Sequence, residues 1–579
     1  MSFEEETLRK YALLNAYQHG GKAQPKAVLS KFFAENPELK GRARELAGLA
    51  ARIVEEVNRL TPQRQLEILR EKWPEVLEAG RRREAEERRL PPLPEAVEGK
   101  VVTRFSPNPD CVLHLGSARA AVISWMYAEA YRGKFILRFE DTDPRGKRPQ
   151  PEFYDSIRED LEWLGCRWAE EHIQSLRLET YYEYAGRLLR QGGAYVCTCK
   201  PESFRRLVSA GKPCPCREQP PEVQLERWER MLEGEYGEGE AVVRVKTELN
   251  HPNPAVRDWP ALRIVDTERW PHPLVGSRYR VWPLYNFSCG LDDHLLGVTH
   301  IIRGKEHLTN EVRQKYLYKH LGWRYPVAVH YGRLSITGVE LSKSKIKAGV
   351  EGGAFTGYDD PRLATLQALR RRGITAEAVR ELMLDVGVKP ADVTLSWENL
   401  YAYNRKILDP KVDRYFFVDN PVRLKVSGVE KTYHSRQPLH PDHPERGYRI
   451  LKVEPNSEGQ AWLLLSSRDL RILREGGLVR LRNLFNILIE RVEGGLVEAS
   501  FHSEEYGEAK RLEAPIIHFL PEGVGVEASI LMPDGSTLKG LAEPECLSLK
   551  PGQVVQFERF GFARIEAVNG MVRAVYAHP

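Results

Sequence analysis

Apolar residues recur at helical spacing through the first part of the chain. They are Leu8, Tyr11, Ala12 and Ala16, and later Ile53, Val54, Val57 and Leu60. A period of three to four residues predicts helices from the first residue to about residue 90. Residues 81–89, which are dense in Arg and Glu, and then Pro91, Pro92 and Pro94 predict a linker that ends this helical extension.

The pattern then changes to a strand, a helix and a second strand. The apolar pair Val101 and Val102 begins the first strand, the helix is predicted over about 117–131, and the second strand over 135–139. Such a unit favours a parallel sheet with its ligand site at the carboxyl ends of the strands. The alternation returns over 282–321, so the sequence predicts a Rossmann-type nucleotide-binding sheet that is split by an insertion of about 85 residues.

Beyond Pro410 short alternating segments separated by Gly and Pro replace the helical pattern. They lie at 414–418, 422–426, 448–453 and 554–562, and they predict an all-β region of barrels or sandwiches. The expected fold class is therefore α/β, with a split parallel sheet, an inserted domain, a helical N-terminal extension and a C-terminal all-β region. The predicted domains are the extension (1–98), the first half of the sheet (99–195), the insertion (196–278), the second half (279–340), a lysine loop with helices (341–412) and the β-region (413–579).

Charge and composition narrow the class of protein. The chain has 86 Lys and Arg against 81 Asp and Glu, and its net charge of +5 permits a polyanionic partner without requiring one. No run of about 18 apolar residues is present, which excludes a membrane-spanning protein. The acidic N-terminus has no apolar signal segment, which predicts a cytoplasmic location.

The turn between the first strand and the helix carries candidate chemistry. It contains Arg104 and ends in His114-Leu-Gly116-Ser117, just where the helix is predicted to start. Unpaired N–H groups at a helix N-terminus can hold phosphate, and Gly116 lets a flat base approach the backbone. The turn therefore predicts an ATP site, with a chance turn as the alternative when the four residues are taken alone.

A second segment, Glu340-Leu-Ser342-Lys343-Ser344-Lys345, is a small-residue loop with lysines. Such a loop can close over a triphosphate and place an ammonium group beside charge that grows at the α-phosphorus. Taken alone, it is equally compatible with a solvated loop.

Four of the eight cysteines form two close pairs. Cys197-Thr-Cys199 and Cys214-Pro-Cys216 are separated by fourteen residues, and four thiolates in this spacing suit a tetrahedral structural Zn²⁺. Buried cysteines without a metal are the alternative. The other four, Cys111, Cys166, Cys289 and Cys546, are scattered and are predicted to be core or surface residues.

In this order, the first segment resembles the HIGH signature and the second the KMSKS signature of class I aminoacyl-tRNA synthetases. Two further strings, Arg-Phe-Glu-Asp-Thr-Asp-Pro at 138–144 and the string at 285–307, are similar to segments of the glutamyl-tRNA synthetase family. The resemblance covers nearly the whole chain. Tyr-Asp-Asp-Pro-Arg-Leu at 358–363 and the β-rich C-terminal part indicate the archaeal branch. Ser117 and Glu340 depart from the two signatures, so the roles of those positions in the family are not carried over.

The resemblance implies ATP-dependent attachment of L-glutamate to tRNA(Glu) through a glutamyl-adenylate, with tRNA(Gln) as an open second substrate. It implies Mg²⁺ with ATP, a zinc knuckle in an acceptor-binding insertion, and an anticodon-binding β-region. His114 and Lys343 are the implied catalytic residues. The implied ATP-binding residues are Pro107, His114, Gly116, Ser117, Ser342, Lys343 and Ser344. The implied glutamate-binding residues are Arg104, Ser106, Asn108, Glu140, Tyr285 and Arg303.

Physical chemistry supports that assignment, because arginine forks bind carboxylates and an acid binds an ammonium group. Three questions stay open. Glu140 could instead form an ion pair with Arg138, and Tyr285 could instead be a core residue. It is also open which of the two arginines binds which carboxylate of glutamate. The family position matching Arg303 is uncharged in the glutaminyl branch, so glutamate is expected. The rival functions are a glutaminyl-tRNA synthetase and an inactive tRNA-binding paralogue. The resemblance implies tRNA contacts by Arg370, Arg371, Arg372, Lys345, Lys347, Arg405, Lys406 and Lys411. For any one of them taken singly, a solvated surface charge is the alternative.

Overall fold

The computed structural model describes residues 3–18, 21–73, 90–339 and 341–579. The chain divides into two units, Met1–Leu90 and Pro91–Pro579. The charged stretch 81–89 and Glu340, both singled out from the sequence, lie outside the described residues. Among the residues described, no helix is both long and apolar enough to cross a membrane.

The described part of the first unit is helical, as the apolar spacing predicts. Its helices are α1 (Phe3–Gln18), α2 (Pro25–Glu35), α3 (Ala43–Asn58) and α4 (Pro62–Lys72). Prolines begin α2 and α4, where a missing N–H costs nothing, and the Thr61 side chain caps α4 by accepting from the Arg64 N–H. Leu8, Ala12, Ile53 and Val57 are buried together in the core of this unit.

The second unit begins with the predicted strand, helix and strand. Its first elements are β1 (Val102–Phe105), α5 (Leu115–Ala130), β2 (Lys134–Phe139), α6 (Pro151–Leu164), β3 (Glu170–Ile173) and α7 (Leu178–Arg190). The three strands are parallel in the order β1-β2-β3, with Val102 opposite Lys134 and Ile136 opposite Glu170. The side chains of β1 and β2 are almost all buried, as in strands covered on both faces, whereas those of β3 are half-buried.

A separate antiparallel sheet follows. Its elements are β4 (Ala194–Cys197), α8 (Pro201–Ser209), α9 (Pro221–Leu232), β5 (Val242–Val245), β6 (Pro260–Ile264) and β7 (Val281–Pro283), and the strands pair in that order. The chain then returns to parallel pairing with α10 (Tyr285–Leu295), β8 (His300–Gly304), α11 (Leu308–Leu321) and β9 (Val327–Tyr331). Thr299 joins the two parallel groups, because its side chain accepts from the Val102 N–H at 2.8 Å. This arrangement confirms a parallel sheet formed by two distant parts of the sequence.

Helices dominate the next segment. Its elements are β10 (Leu334–Ile336), α12 (Lys343–Glu351), α13 (Leu366–Arg372), α14 (Ala376–Val386), β11 (Val393–Leu395) and α15 (Trp397–Leu408). The side chains of Thr365 and Thr375 cap α13 and α14, and Leu369, Val379 and Leu400 pack into the same core as the β1–β3 sheet.

The C-terminal part is β-rich, as predicted. Its strands begin with β12 (Arg414–Tyr415), β13 (Phe417–Asp419), β14 (Pro421–Ser427), β15 (Tyr433–Pro438), β16 (Tyr448–Val453), β17 (Ala461–Ser466), β18 (Leu478–Leu481), β19 (Asn486–Glu493) and β20 (Leu496–Ser503). After the helix α16 (Tyr506–Arg511) come β21 (Ile516–Ile517), β22 (Leu520–Pro521), β23 (Val526–Leu531), β24 (Thr537–Ala542), β25 (Val554–Phe557), β26 (Gly561–Val568) and β27 (Val572–His578).

These strands form two seven-stranded sheets and one hairpin. The sheet orders are β12-β25-β26-β27-β23-β24-β13 and β21-β18-β19-β20-β14-β17-β22, and β15 pairs with β16. One short helix, α16, lies among the strands of this predicted β-region: its polar sequence has only Ala509 buried, so it lacks the alternation that a half-buried strand needs. The predicted limits of the six domains stay predictions.

Candidate functional site

Two neighbouring cavities lie at the carboxyl ends of the parallel strands. One has a volume of about 710 Å³ and is bounded by residues that follow β1, β2 and β8. The other has a volume of about 850 Å³ and lies beside the start of α5. Glu306, directly after β8, contributes to the walls of both cavities, so the two are adjacent. This edge is where ligands bind in parallel α/β folds.

The first cavity brings together all six predicted glutamate-binding residues. They are Arg104, Ser106, Asn108, Glu140, Tyr285 and Arg303. The Ser106 Oγ and Asn108 Oδ1 atoms are buried and accept or donate no hydrogen bond within the described chain. Buried polar atoms are normally paired, so these two atoms are suited to a bound ligand.

The predicted ATP-binding residues are divided between the cavities. His114, Gly116 and Ser342 line the second cavity, whereas Pro107, Ser117 and Lys343 line the first. Ser344 lies beside Ser342, with 3.2 Å between the two Oγ atoms, rather than on either wall.

A buried carboxylate is shared by Arg104 and Arg138. Asp293 accepts from Arg104 Nε at 3.0 Å and from Arg138 Nη1 at 2.8 Å. Burial raises the pKa of Asp293, but Arg104 and Arg138 lower it more, so its pKa is below the ordinary value and the carboxylate stays charged. Sequence reasoning missed Asp293, although the Asp292-Asp293 pair in an otherwise apolar helix signals buried ionic partners.

The position of Glu140 is compatible with both roles considered for it, an ion pair with Arg138 and a contact with a ligand in the first cavity. Its Oε1 atom lies 3.1 Å from Arg138 Nη2, so the ion pair exists, and the side chain also reaches the first cavity. The Cys289 thiol donates to the same oxygen at 2.9 Å. Burial and then Glu140 raise the pKa of Cys289 well above its usual value, so the thiol stays protonated and can donate. No pattern in the sequence indicates this contact, since it joins the residue after β2 to α10.

Tyr285 is the first residue of α10 and its ring lies 5.4 Å from the His307 ring. It is half-buried and faces the first cavity, so core packing does not account for its position. Burial and the nearby Glu140 raise the pKa of Tyr285, which keeps its hydroxyl neutral and able to donate.

Arg303 differs from Arg104 in its partners. Its guanidinium donates to Gln314 Oε1 at 3.1 Å and to the Tyr325 hydroxyl at 3.0 Å, and its Nε atom lies 3.4 Å from His330 Nε2. Among the residues that the structure describes, no carboxylate comes within 4.0 Å of this guanidinium. Arg303 is therefore buried with neutral partners and retains an unpaired positive charge.

His114 is the N-cap residue of α5, and its Nδ1 atom accepts from the Ser117 N–H at 3.3 Å. Burial and the nearby Lys343 lower the pKa of His114 to about 4, so the imidazole is neutral near pH 7. Gly116 is required by this arrangement, because a Cβ atom there would lie 2.9 Å from the His114 ring.

Lys343 connects the two distant signature segments. Its Nζ atom donates to the Asn108 carbonyl at 2.9 Å and lies 3.2 Å from Asp110 Oδ1. Lys343 also begins α12, so the helix sets the position of the ammonium group at the cavity wall. Asp110 and Glu306 are wall residues that sequence reasoning missed, although both lie inside the strings that carried the resemblance.

The four predicted metal ligands converge. The sulfur atoms of Cys197, Cys199, Cys214 and Cys216 all lie within 4.8 Å of one another. The Cys197–Cys214 and Cys199–Cys216 sulfur separations are 3.9 and 3.7 Å. A tetrahedral Zn²⁺ with bonds of about 2.3 Å requires separations of about 3.8 Å, so the cluster fits that ion.

The predicted tRNA contacts at 370–372 need a correction. Arg372 is 1% exposed, and its Nη2 atom donates to the Ala577 carbonyl at 2.7 Å and to the Tyr401 hydroxyl at 2.6 Å. Arg371 is paired with Glu566 at 2.6 Å. Arg372 is therefore a structural residue, because a run of basic residues in a helix places one of them on the buried face.

The parallel α/β fold, with two adjacent cavities at the carboxyl ends of its strands, has the architecture typical of nucleotide-binding enzymes. Three family models match the chain: tRNA synthetases class I (E and Q), catalytic domain, over residues 100–410, and two anti-codon binding domains of the same family over 412–504 and 516–566. The chain therefore belongs to the class I tRNA synthetases for Glu and Gln.

Individual relatives agree with that family. The chain is 55% identical over 579 residues to a glutamate–tRNA ligase of Pyrococcus furiosus, with 99% of each chain covered. It is 54% identical over 577 residues to that of Thermococcus kodakarensis, again with 99% of each covered. A solved glutamate tRNA ligase from Elizabethkingia meningosepticum is 23% identical, with a TM-score of 0.39 over 53% of this chain and 70% of that chain.

Proposed function

We propose that this protein is a glutamate–tRNA ligase. In the first step, the glutamate α-carboxylate attacks the α-phosphorus of ATP and displaces pyrophosphate to form glutamyl-AMP. In the second step, a ribose hydroxyl at the tRNA(Glu) terminus attacks the acyl carbon and displaces AMP. The observation that supports this most directly is the convergence of Arg104, Arg303 and Glu140 in one cavity next to the His114 and Lys343 segments.

The first cavity suits each charged group of glutamate. Glu140 is the acid for the α-ammonium group, and Arg104 and Arg303 are the cations for the two carboxylates. Ser106, Asn108 and Tyr285 supply neutral hydrogen bonds around them. These roles are proposals drawn from the positions of the side chains.

Adenylate formation needs charge stabilisation rather than a general base, because the attacking carboxylate is already ionised near pH 7. Neutral His114 can donate through Nε2 while its Nδ1 atom accepts from the Ser117 N–H at the start of α5. The Lys343 ammonium supplies a positive charge at the boundary between the cavities. Mg²⁺ arriving with ATP offsets phosphate charge, and Asp110 and Glu306 are the nearby wall carboxylates that would hold it.

The assay that tests this proposal is ATP–pyrophosphate exchange with tRNA(Glu) present. Exchange driven by glutamate and not by glutamine is the expected result, because Arg303 would lack a carboxylate partner with an amide substrate. Exchange driven by glutamine would indicate the glutaminyl branch. No exchange and no charged tRNA with either amino acid would indicate the inactive paralogue.

Charging of tRNA(Gln) with glutamate stays a prediction. It is measured by adding labelled glutamate and each purified tRNA in separate reactions, with a non-cognate tRNA as the control. Label on tRNA(Gln) would establish tRNA(Gln) as a second substrate, and label on tRNA(Glu) alone would show that tRNA(Gln) is not charged with glutamate.

We also propose that the four-cysteine cluster holds a structural Zn²⁺ in the domain predicted to bind the acceptor end. Replacing Cys197 and Cys214 with serine should reduce bound zinc from about one ion per chain to near zero and lower the melting temperature, because structural sites contribute directly to folding. Metal analysis of the purified chain checks this result. Cys166→Ser is the matched control, since Cys166 is buried outside the cluster; equal zinc content in both variants would contradict the proposal.

A further inference from the structure

We infer that Gln314 is a specificity-determining positioning residue: by holding Arg303 with a neutral oxygen, it keeps the charge of that guanidinium available for the substrate carboxylate. This inference rests on the proposed function and goes beyond it. It concerns a side chain of α11 that does not line either cavity but contacts a residue that does.

The contacts form a closed ring of three side chains. Arg303 donates from Nη1 to Gln314 Oε1 and from Nη2 to the Tyr325 oxygen, and the Tyr325 hydroxyl donates to the same Gln314 oxygen at 2.7 Å. An arginine has no acceptor, so the oxygen of the Gln314 amide must face it. The ring thus fixes both the amide orientation and the plane of the guanidinium.

The third contact of Arg303 is also with a neutral group. Burial and then Arg303 itself lower the pKa of His330, so the ring is uncharged and its Nε2 atom can accept from Arg303 Nε. The His330 Nδ1 atom lies 3.4 Å from Glu311 Oε2, so this acid contacts the far side of the imidazole from Arg303. Three directions around Arg303 are therefore occupied without neutralising it.

An amide side chain at position 314 is not the one that would best stabilise the fold. Gln314 is fully buried, and its Nε2 atom has no hydrogen-bond partner in the described chain. A glutamate has nearly the same shape, would satisfy the same two donors and would leave no N–H unpaired. Arg104 shows that a buried carboxylate can lie beside an arginine of this cavity, since Asp293 contacts both Arg104 and Arg138 and compensates only part of their charge. The two arginines differ in that Arg104 contacts a carboxylate and Arg303 contacts neutral groups. This difference indicates that position 314 carries no carboxylate because a carboxylate there would compete with the substrate carboxylate for Arg303.

The experiment compares Gln314→Glu with Gln314→Met in steady-state aminoacylation. We expect Gln314→Glu to raise the KM for glutamate by about 10- to 100-fold, the range of one charged hydrogen bond, with the KM for ATP within about twofold and no loss of melting temperature. The ratio of kcat/KM for glutamate over glutamine should fall by a similar factor. Gln314→Met keeps the site neutral, so its KM for glutamate should rise less than about fivefold while its melting temperature falls.

A merely structural role predicts the reverse order, since Met removes both hydrogen bonds and Glu preserves them. An unchanged KM for glutamate in Gln314→Glu, or a larger rise in Gln314→Met, would overturn the inference. The wild-type protein in the same assay separates this result from the proposed function: if wild type does not charge tRNA with glutamate, the proposed function fails, whatever the variants do.

Discussion

Lys343→Ala is expected to slow glutamate-dependent ATP–pyrophosphate exchange by about 10²–10³-fold while the protein stays folded. The Lys343 ammonium lies at the wall of the first cavity, where it contacts the Asn108 carbonyl and Asp110, next to the start of α5. Negative charge increases on the phosphates as the carboxylate attacks, and a cation in a partly buried site stabilises that charge more than it stabilises the ground state. The measurement is the exchange rate at saturating ATP and glutamate, with tRNA present.

The control for this variant is Lys319→Ala, which removes an exposed lysine of α11. Both variants should have the melting temperature of the wild type within a few degrees, since neither position is fully buried. If the exchange rate of Lys343→Ala lies within threefold of the exchange rate of Lys319→Ala, the catalytic role proposed for Lys343 is wrong.

Arg303→Ala is expected to raise the KM for glutamate by roughly 10²-fold or more, since it removes the unpaired cation that is proposed to bind a carboxylate. The KM for ATP should change little, because Arg303 is not one of the predicted ATP-binding residues and does not line the second cavity. Aminoacylation kinetics at varied glutamate and fixed tRNA give both values.

The comparison variant is Arg104→Ala, for which we expect a change in the melting temperature as well as in the KM for glutamate. Its removal takes one of two partners from the fully buried Asp293, so the melting temperature should fall as well as the affinity for glutamate. Arg303→Ala deprives no carboxylate of a partner, so its melting temperature should fall less than that of Arg104→Ala. An unaltered KM for glutamate in Arg303→Ala would contradict the role proposed for this arginine.

The sequence predicted those parts of the site that lie within continuous strings. His114 precedes a helix start, Lys343 lies in a small-residue loop, and the cysteine spacing indicates a metal cluster; each is a local pattern with a local physical reason. Arg104, Glu140 and Arg303 came from the family resemblance, and the structure places all three at one cavity.

The residues that the sequence did not predict act through contacts between distant elements. Cys289 meets Glu140 and Gln314 meets Arg303 only because α10 and α11 pack beside the parallel strands. No spacing rule relates such pairs. The same limit applies to the β-region: alternation predicted strands, but the neighbour of β12 is β25, which is more than a hundred residues away in the sequence.

The shared carboxylate of Asp293 has a consequence for biosynthesis. It lies 189 residues after Arg104 and 155 after Arg138, so both guanidinium groups leave the ribosome long before their counter-ion exists. A nascent chain that has completed only β1, β2 and β3 would have to bury two cations with Glu140 present but their shared partner Asp293 still missing, which is strongly unfavourable. The first half of the catalytic sheet should therefore acquire its native interior only after α10 has been translated, which makes the protein dependent on keeping its N-terminal half from aggregating during that interval.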